Sequence, residues 1–310
     1  MGVAFIFPGQ GSQYLGMGKS LAEAFPEARA VFEEASESVG YDILKLCVEG
    51  PEAELNRTEN TQPAILTVSL AAFAALKAGG ITPIAAAGHS LGELTAVAAA
   101  GGLTVGQAAS LASRRGRYMQ EAVPQGKGLM AAVLGLDADK VREACVAASG
   151  IGVVAPANFN SPGQIVIAGV KEAVEKAGEL CKEFGAKKVV PLAVSVPSHC
   201  PLMAPAADRL KADLAGLEMQ DLKFPVASNA YGRLMTSSSD VKEALVKQLT
   251  EPLLWVDCVE AIVAAGVSDI IEAGPGKVLS GLVKRITDKA VIKNAEDGAT
   301  MTAVLEALKS

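Results

Sequence analysis

The chain has 310 residues, of which 50% are apolar and 20% charged, with a formal net charge of −6. This length and composition indicate a globular protein with one large domain, or a domain that carries a smaller one, and exclude a disordered or fibrous chain. The acidic balance argues against non-specific nucleic-acid binding. The sequence has no run of about 18 apolar residues, so no membrane-spanning helix is predicted.

Cysteines and histidines are few and scattered. The five cysteines form no C-x-x-C pair, and with only two histidines they cannot supply an ordinary zinc cluster. We therefore expect a reducing compartment and no metal site. The N-terminal residues are typical of a first strand rather than a signal or transit peptide. A cytoplasmic protein is expected, and a processed organellar form stays open because a removed transit peptide leaves no trace.

The first part of the chain alternates short apolar runs with helical patterns. Residues 3–7 form an apolar run closed by a Pro-Gly pair, which predicts a buried strand. Two helical patterns follow, the second opening near Gln62 and Pro63. A second strand is predicted at 84–87, followed by an alanine-rich helix and a further helix over 104–123. This alternation is typical of a parallel α/β sheet.

The pattern changes near residue 126. Four strand-like runs and two helical runs follow in the order β-α-β-β-α-β, which is the ferredoxin-like order; they cover residues 128–136, 137–149, 152–159, 163–169, 171–184 and 186–194. The α/β pattern resumes after Pro197, with strands predicted near 224–228 and 269–273. We predict a larger α/β subdomain formed by residues 1–124 and 197–310, interrupted by a smaller one of residues 125–196.

The segment GHSLG, residues 88–92, fits the pattern G-x-S-x-G between a predicted strand and a predicted helix. A nucleophile elbow requires this context, since small residues allow a tight turn that exposes the serine hydroxyl at the carboxyl end of the sheet. The start of the helix offers backbone N–H groups to a developing oxyanion. The alternative is a glycine-flanked turn in which Ser90 only caps the helix. The flanking elements favour Ser90 as a nucleophile.

A serine hydroxyl needs a base at neutral pH. His89 is adjacent to Ser90, and side chains of neighbouring residues on a tight turn usually diverge, so elimination favours His199 in VSVPSHCPLM. Alternatively, His199 only satisfies a polar gap. Cys200 is a candidate thiol nucleophile but lacks an elbow. No aspartate for a triad is evident, and the partner that orients the histidine stays open. We expect acylation to follow one ionisation near the usual histidine range.

The loop FPGQGSQ, residues 7–13, follows the first predicted strand. Its spacing fits neither the dinucleotide fingerprint nor a P-loop. Gln10 in this loop can approach the oxyanion position from the neighbouring strand end. An ordinary turn explains the pattern equally well.

The helix over 104–123 contains an arginine on its apolar face. Arg115 falls on the stripe of apolar residues, whereas Arg114 and Arg117 fall off it. A buried guanidinium is costly unless an anion pairs with it. That anion is either an internal carboxylate or a carboxylate of the substrate, and the pattern leaves both open.

Seven segments, taken together and in chain order, closely resemble the malonyl-CoA:acyl carrier protein transacylases of fatty acid synthesis: FPGQGSQ, TQPAI, GHSLGE, RGRYMQEAVP, NFNSPGQIVIAG, VPSHCPLM and GPGKVL. The resemblance covers essentially the whole chain. It implies that the larger subdomain is α/β-hydrolase-like and the inserted one ferredoxin-like. It also implies ping-pong transfer of malonyl from malonyl-CoA, a substrate and not a resident cofactor, to the phosphopantetheine thiol of acyl carrier protein.

The resemblance implies a role for each matching position. Ser90 matches the nucleophile, which carries malonyl as an ester, and His199 matches the base and acid. Gln10 and Leu91 match the residues whose backbone N–H groups form the oxyanion hole. No cofactor is expected to stay bound, and the product malonyl-carrier protein would supply fatty acid elongation.

Three further positions are implied to complete the site. Arg115 matches the arginine that pairs with the malonyl carboxylate, Gln248 the residue whose backbone carbonyl orients the histidine, and Asn160 a possible substrate contact. Two other functions compete with this interpretation. An esterase or thioesterase needs the same elbow, but simple esters have no second carboxylate for Arg115. A non-catalytic scaffold that binds carrier protein would not need the Ser90 and His199 pair.

Overall fold

Two separate β-sheets organise the protein, for which a computed structural model describes residues 2–192 and 196–309. The larger sheet contains, side by side, β10 (Val291–Ala295), β9 (Val267–Ala273), β1 (Gly2–Phe7), β2 (Ala85–Gly88), β7 (Val226–Ala227) and β8 (Leu234–Met235). Its neighbouring strands are parallel except for β7 and β8. The smaller sheet contains, side by side, β4 (Val154–Ser161), β5 (Gln164–Val170), β3 (Gly128–Leu134) and β6 (Lys188–Pro191), and its neighbours are antiparallel.

Helices connect and cover these strands. In chain order they are α1 (Lys19–Ala24), α2 (Pro26–Val39), α3 (Ile43–Glu49), α4 (Glu52–Leu55), α5 (Thr58–Ala78), α6 (Leu91–Ala99), α7 (Val105–Ala122), α8 (Ala138–Ala148), α9 (Lys171–Glu183), α10 (Ala204–Ala215), α11 (Ser238–Lys247), α12 (Trp255–Ala264), α13 (Val278–Ile286) and α14 (Gly298–Lys309). The predicted α/β class, with a parallel-rich sheet and a second sheet, is confirmed.

Strand β1 is buried on both faces, as strands of parallel sheets are. Phe5 and Phe7 point into one core, where the ring of Phe73 from α5 meets both rings edge-on. Ala4 and Ile6 point into a second core on the opposite face of the sheet. The continuous apolar run that predicted this strand therefore reflects helices packed on both sides.

Helix α5 is the central helix of the first core. By length and apolar composition it is the one helix of the described residues that meets the requirements for crossing a membrane, but 83% of its most apolar window is buried inside the protein. It packs against α2 and α7. It begins at Thr58, earlier than the predicted opening near Gln62 and Pro63, and Pro63 lies inside it. The two helical patterns expected between β1 and β2 are in fact five helices, α1 to α5.

The smaller sheet has the predicted β-α-β-β-α-β order, formed by β3, α8, β4, β5, α9 and β6. Its strand order, β4-β5-β3-β6, is that of a ferredoxin-like sheet. The strand predicted over 186–194 ends at Pro191, and residues 193 and 194 lie outside the described residues. The subdomain boundaries themselves stay a prediction.

Backbone hydrogen bonds join β4 to the larger part of the protein. The N–H of Phe159 donates to the carbonyl of Leu253 (2.9 Å), and the N–H of Leu253 donates to the carbonyl of Ala157 (2.8 Å). This attachment brings the end of β4, with Asn160, to the carboxyl end of β2.

Glycines let the turn between β2 and α6 pack tightly against β1. A Cβ atom on Gly92 would lie 2.0 Å from the main-chain oxygen of Phe7, and one on Gly88 would lie 1.9 Å from the carbonyl carbon of Gly92. Any side chain at either position would therefore separate the helix from the strand.

We predict that Gly92→Ala lowers the free energy of unfolding by about 1–3 kcal/mol, the usual cost of overpacking. Gly281→Ala is the matched control, because Gly281 is also helical, but a Cβ there meets nothing within 4 Å. The control should be neutral or stabilising by up to about 1 kcal/mol, since alanine favours helix. Urea unfolding measures both variants. Equal stabilities of the two variants would contradict the close packing of the turn.

Candidate active site

Ser90 lies on the tight turn between β2 and α6. Its backbone angles, φ 54° and ψ −105°, lie outside the usual regions for residues with a Cβ. Among the described residues, Ser90 and His199 (φ 59°) are the non-glycine residues with positive φ. Such strain costs about 1–3 kcal/mol for each residue and persists only where the surroundings hold it. The elbow predicted from the sequence is therefore present, with Ser90 at its apex.

A hydrogen-bonded chain runs from Ser90 through His199 to Gln248. The Oγ of Ser90 lies 2.8 Å from Nε2 of His199, and Nδ1 of His199 lies 2.7 Å from the main-chain oxygen of Gln248. A carbonyl oxygen only accepts hydrogen bonds, so Nδ1 carries the proton and Nε2 is left as the acceptor for the serine hydroxyl. The imidazole thus presents its unprotonated nitrogen to the hydroxyl of Ser90.

Burial keeps His199 neutral. The side chain is 2% exposed, and its burial lowers the pKa of His199 to about 3, which the positive charge of Arg115 reinforces and the hydrogen bond to Gln248 opposes. The ionisation expected near the usual histidine range is therefore not supported. The sequence could not show this shift, because it depends on how completely the loop of His199 is covered.

His89 points away from the serine. Its Nε2 lies 2.8 Å from Oδ1 of Asn160, and its ring packs edge-on against the indole of Trp255 with centroids 5.6 Å apart. Burial lowers the pKa of His89 as well. The expectation that the adjacent histidine diverges from Ser90 agrees with this geometry, and Asn160 is placed at the site as the partner of His89.

Arg115 reaches the same serine from helix α7. A capping box at Thr104 and Gln107 begins this helix, and its buried face carries Arg115, which is 3% exposed. The guanidinium donates from Nη1 to Oε1 of Gln62 (2.8 Å), and from Nη2 to Oε1 of Gln248 (2.8 Å) and Oγ of Ser90 (3.2 Å).

All of these partners are neutral. No ion pair of Arg115 is found among residues 2–192 and 196–309. Burial lowers the pKa of Arg115 to about 10, against the opposing charge of Glu93. Of the two anions that the sequence left open, the internal carboxylate is thus not a direct partner in this part of the chain.

Gln10 and Leu91 line the cavity beside Ser90, which has a volume of about 250 Å³. Leu91 is the first residue of α6, directly after Ser90, so its N–H has no carbonyl of a preceding helical turn to bond. Gln10 follows β1, whose end adjoins the end of β2, and the side chain of Gln10 reaches Oγ1 of Thr58 (3.4 Å). Both residues thus lie beside the serine, Gln10 in the loop after β1 and Leu91 at the start of α6.

Two further residues hold the site together and were not predicted. Asn229 accepts from the N–H of Ser90 at Oδ1 (2.9 Å) and donates to the carbonyl of Gly88 (2.8 Å), so that it clamps both sides of the elbow. Glu93 is 2% exposed and accepts hydrogen bonds from Nε2 of Gln248 (2.6 Å) and the N–H of Asn229 (3.1 Å). Glu93 lies in GHSLGE, and its position one helical turn after the serine could have indicated that its side chain lies near the site. Asn229 lies in a loop whose sequence gives no such indication.

The cysteines and the potential metal ligands of the described residues are the other candidate reactive groups. All five cysteines are free and buried, and burial raises the pKa of Cys200 to about 11, so its thiol stays protonated. In the described part of the chain, no group of three or more His, Cys, Asp or Glu side chains could hold a metal ion.

A serine on a strained strand-to-helix turn, hydrogen-bonded to a neutral histidine, is an arrangement typical of enzymes that transfer acyl groups. Comparison with known proteins narrows the class. The family described as "Acyl transferase domain" matches residues 4–305, and the chain belongs to this family of acyltransferases.

The similar proteins share one more specific activity in their names. The malonyl CoA-acyl carrier protein transacylase of Escherichia coli (strain K12) is 48% identical over 304 residues, covering 98% of this chain and 98% of the other. The crystal structure of an acyl carrier protein S-malonyltransferase from Vibrio cholerae has a TM-score of 0.95 and 48% identity, covering 98% of this chain and 100% of that one. A malonyl-transacylase in complex with a type II PKS acyl-carrier protein has a TM-score of 0.96 and 47% identity, covering 99% and 100%.

We predict that both histidines titrate below their usual pKa of about 6.5. Because burial lowers both pKa values, the imidazole nitrogen resonances of His199 should not titrate between about pH 8 and pH 5 in the free protein, and the titration midpoint of His89 should lie below the usual value. Histidine-selective isotope labelling and NMR measure this directly, since the chain has two histidines and His89→Gln assigns them. A titration of His199 with a midpoint near the usual value would contradict its enclosure.

Proposed function

We propose that this protein transfers malonyl from malonyl-CoA to the phosphopantetheine thiol of an acyl carrier protein through an ester on Ser90. One observation carries this proposal. Arg115 is a buried cation, hydrogen-bonded to the Oγ of Ser90, whose direct partners are all neutral. A substrate with a carboxylate beside its reacting carbonyl would give Arg115 an anionic partner. The names of the similar proteins and the neighbouring complex with an acyl-carrier protein support the same activity.

Acylation follows from the hydrogen-bonded chain. As the Oγ of Ser90 attacks the thioester carbonyl, its proton passes to Nε2 of His199, 2.8 Å away. The resulting imidazolium is stabilised by the carbonyl of Gln248 at Nδ1. When the carbon–sulfur bond breaks, the sulfur of coenzyme A takes the proton from Nε2, and His199 is neutral again.

The negative charge on the carbonyl oxygen requires donors during this step. The backbone N–H groups of Leu91, at the start of α6, and of Gln10 are proposed to supply them. The second half-reaction reverses the first. The carrier-protein thiol gives its proton to His199, its sulfur attacks the ester of Ser90, and the serine oxygen recovers the proton.

Arg115 is proposed to select the acyl group. In the free enzyme Nη2 donates to the Oγ of Ser90 at 3.2 Å. Once that oxygen becomes an ester oxygen it is a weaker acceptor, so the donor is free for the malonyl carboxylate. Charge-assisted hydrogen bonds to a carboxylate are about twice as strong as neutral ones. Asn160, held by His89, lines the same cavity and is proposed as a further substrate contact.

The cellular setting is also a proposal. The similar proteins named above include bacterial enzymes, and we place this protein in the cytoplasm, where it would supply malonyl-carrier protein for fatty acid elongation. Coenzyme A thioester enters as a substrate, with no cofactor permanently bound. We retain residues 1–124 with 197–310, and 125–196, as the two subdomains.

We predict that Ser90→Ala forms no malonyl-enzyme from malonyl-CoA while it stays folded, because loss of a nucleophile costs several orders of magnitude in rate. Intact mass and peptide mapping locate the acyl group. Cys200→Ser is the control, since Cys200 is the thiol next to His199, and this variant should be acylated normally. Acyl label on any residue other than Ser90 in the unmodified protein would contradict the assignment.

We predict that Arg115→Ala reverses the preference for malonyl-CoA. The loss of a buried charged contact is worth roughly 2–5 kcal/mol, or tens- to thousands-fold in kcat/KM for malonyl-CoA. Acetyl-CoA should be used as well as before or better. Arg114→Ala is the matched control, because Arg114 is the neighbouring residue and pairs instead with Asp213 (2.8 Å). The measurement is the rate of acylation by each thioester in the unmodified protein and in both variants. Equal losses of kcat/KM for the two thioesters in Arg115→Ala would mean that Arg115 is structural.

A further inference from the structure

The side chain of Gln248 lies between two buried charges that do not touch each other. Its Oε1 accepts from Nη2 of Arg115 (2.8 Å), and its Nε2 donates to Oε2 of Glu93 (2.6 Å). Glu93 is 2% exposed, Arg115 3% and Gln248 0%. The cation and the anion of the site are thus linked through one amide and not by an ion pair.

The orientation of this amide decides what Arg115 meets. A carboxamide has one end that accepts hydrogen bonds and one end that donates them. If the amide turned over, its NH2 group would face the guanidinium, and both groups only donate. Above its pKa, Glu93 is an ionised carboxylate and only accepts hydrogen bonds, so it requires the NH2 end of the amide on its own side and leaves Oε1 for Arg115.

The other neighbours of Nε2 are weaker determinants of this orientation. They are the main-chain oxygen of Ser90 (3.0 Å) and Oδ1 of Asn229 (3.2 Å), both neutral and both more distant than the carboxylate. Hydrogen bonds to charged groups are stronger than those to neutral groups. Among these three acceptors Glu93 therefore contributes most to the orientation of the amide.

Glu93 is itself fixed to the elbow. It belongs to the first turn of α6, which begins directly after Ser90, and it accepts from the N–H of Asn229 (3.1 Å). Burial raises the pKa of Glu93 to about 7, while its hydrogen bonds and the charge of Arg115 act in the opposite direction. Because Glu93 lies one helical turn from Ser90, its carboxylate has a fixed position relative to the serine, and so does any group that it orients.

We propose that Glu93 is a positioning residue for the acyl carboxylate: it fixes the amide of Gln248, which in turn holds Nη2 of Arg115 beside the Oγ of Ser90. This role rests on the proposed function of Arg115 in binding the malonyl carboxylate. Glu93 does not touch the substrate. Through Gln248, it determines the position of the Arg115 guanidinium in the free enzyme.

The test compares two thioesters in Glu93→Gln, which keeps the shape but removes the charge and the acceptor-only character. The ratio of kcat/KM for malonyl-CoA to that for acetyl-CoA should fall about 10- to 100-fold, the equivalent of one hydrogen bond to a charged group. Glu272→Gln is the matched control. Glu272 is also a fully buried glutamate, but its hydrogen bonds go to the first turn of α13, at Leu279 and Ser280, and its ratio should stay at the value of the unmodified protein.

A double-mutant cycle with Arg115→Ala isolates the coupling. With Arg115 absent, Glu93→Gln should change the ratio no further. Arg115→Ala alone tests the proposed function, so its failure is distinguishable from a failure of the positioning role. When Arg115→Ala lowers the ratio, an unchanged ratio in Glu93→Gln, or equal losses for both thioesters, overturns the positioning role.

Gln248→Met is the second variant if Glu93→Gln does not fold. It removes both ends of the amide but keeps the main-chain carbonyl that His199 contacts. The ratio of kcat/KM for malonyl-CoA to that for acetyl-CoA should fall as in Glu93→Gln. A normal ratio in Gln248→Met would overturn the proposal.

Discussion

The hydrogen bond between Nδ1 of His199 and the main-chain oxygen of Gln248 is the interaction on which the rest of the site depends. It fixes the tautomer that leaves Nε2 facing the serine. It also uses a neutral acceptor where a serine hydrolase of the triad type uses a carboxylate. A carboxylate at this point would lie beside Arg115, whose Nη2 contacts the side chain of the same glutamine, and would compete with a substrate carboxylate. The carbonyl orients the base and leaves the arginine without an anion in contact.

The main chain is strained at two residues of this arrangement. Ser90 and His199 both have positive φ, and each is held by hydrogen bonds to residues far along the chain. Asn229 holds the N–H of Ser90, and the amide of Gln248 holds its carbonyl. Close packing of Gly92 against β1 prevents the turn from relaxing towards the strand. The fold therefore holds Ser90 and His199 in place before any substrate arrives.

Sequence reasoning predicted the features that short patterns encode. The apolar runs of β1 and β2, the elbow at Ser90 and the apolar stripe that carries Arg115 all depend on residues close together in the chain. The two-residue strand β8 and the half-exposed edge strand β10 were missed, because neither has a strong apolar signal. The helices between β1 and β2 were under-counted, since α3 has only seven residues and α4 only four, too few for a repeating apolar pattern to stand out.

The contacts of Asn229 and Gln248 in the site could not be predicted from local sequence patterns. Asn229 meets Ser90 across 139 positions, and Gln248 meets Glu93 across 155. Only the fold brings these residues together, and the resemblance to a family assigned Gln248 without a reason from the residues themselves. The low pKa of His199 depends in the same way on long-range burial. A polar network of this kind can be recognised only when the positions of all its members are known.

The most direct test of the account is a crystal structure of the malonyl ester on Ser90, formed by soaking crystals of the unmodified protein with malonyl-CoA in the absence of acyl carrier protein. The account predicts that the malonyl carboxylate lies within hydrogen-bond distance of the Arg115 guanidinium, with Nη2 turned from the serine oxygen to the carboxylate. It also predicts that the carbonyl oxygen of the ester faces the backbone N–H groups of Gln10 and Leu91. A malonyl carboxylate directed into solvent, or paired with another cation, would contradict it.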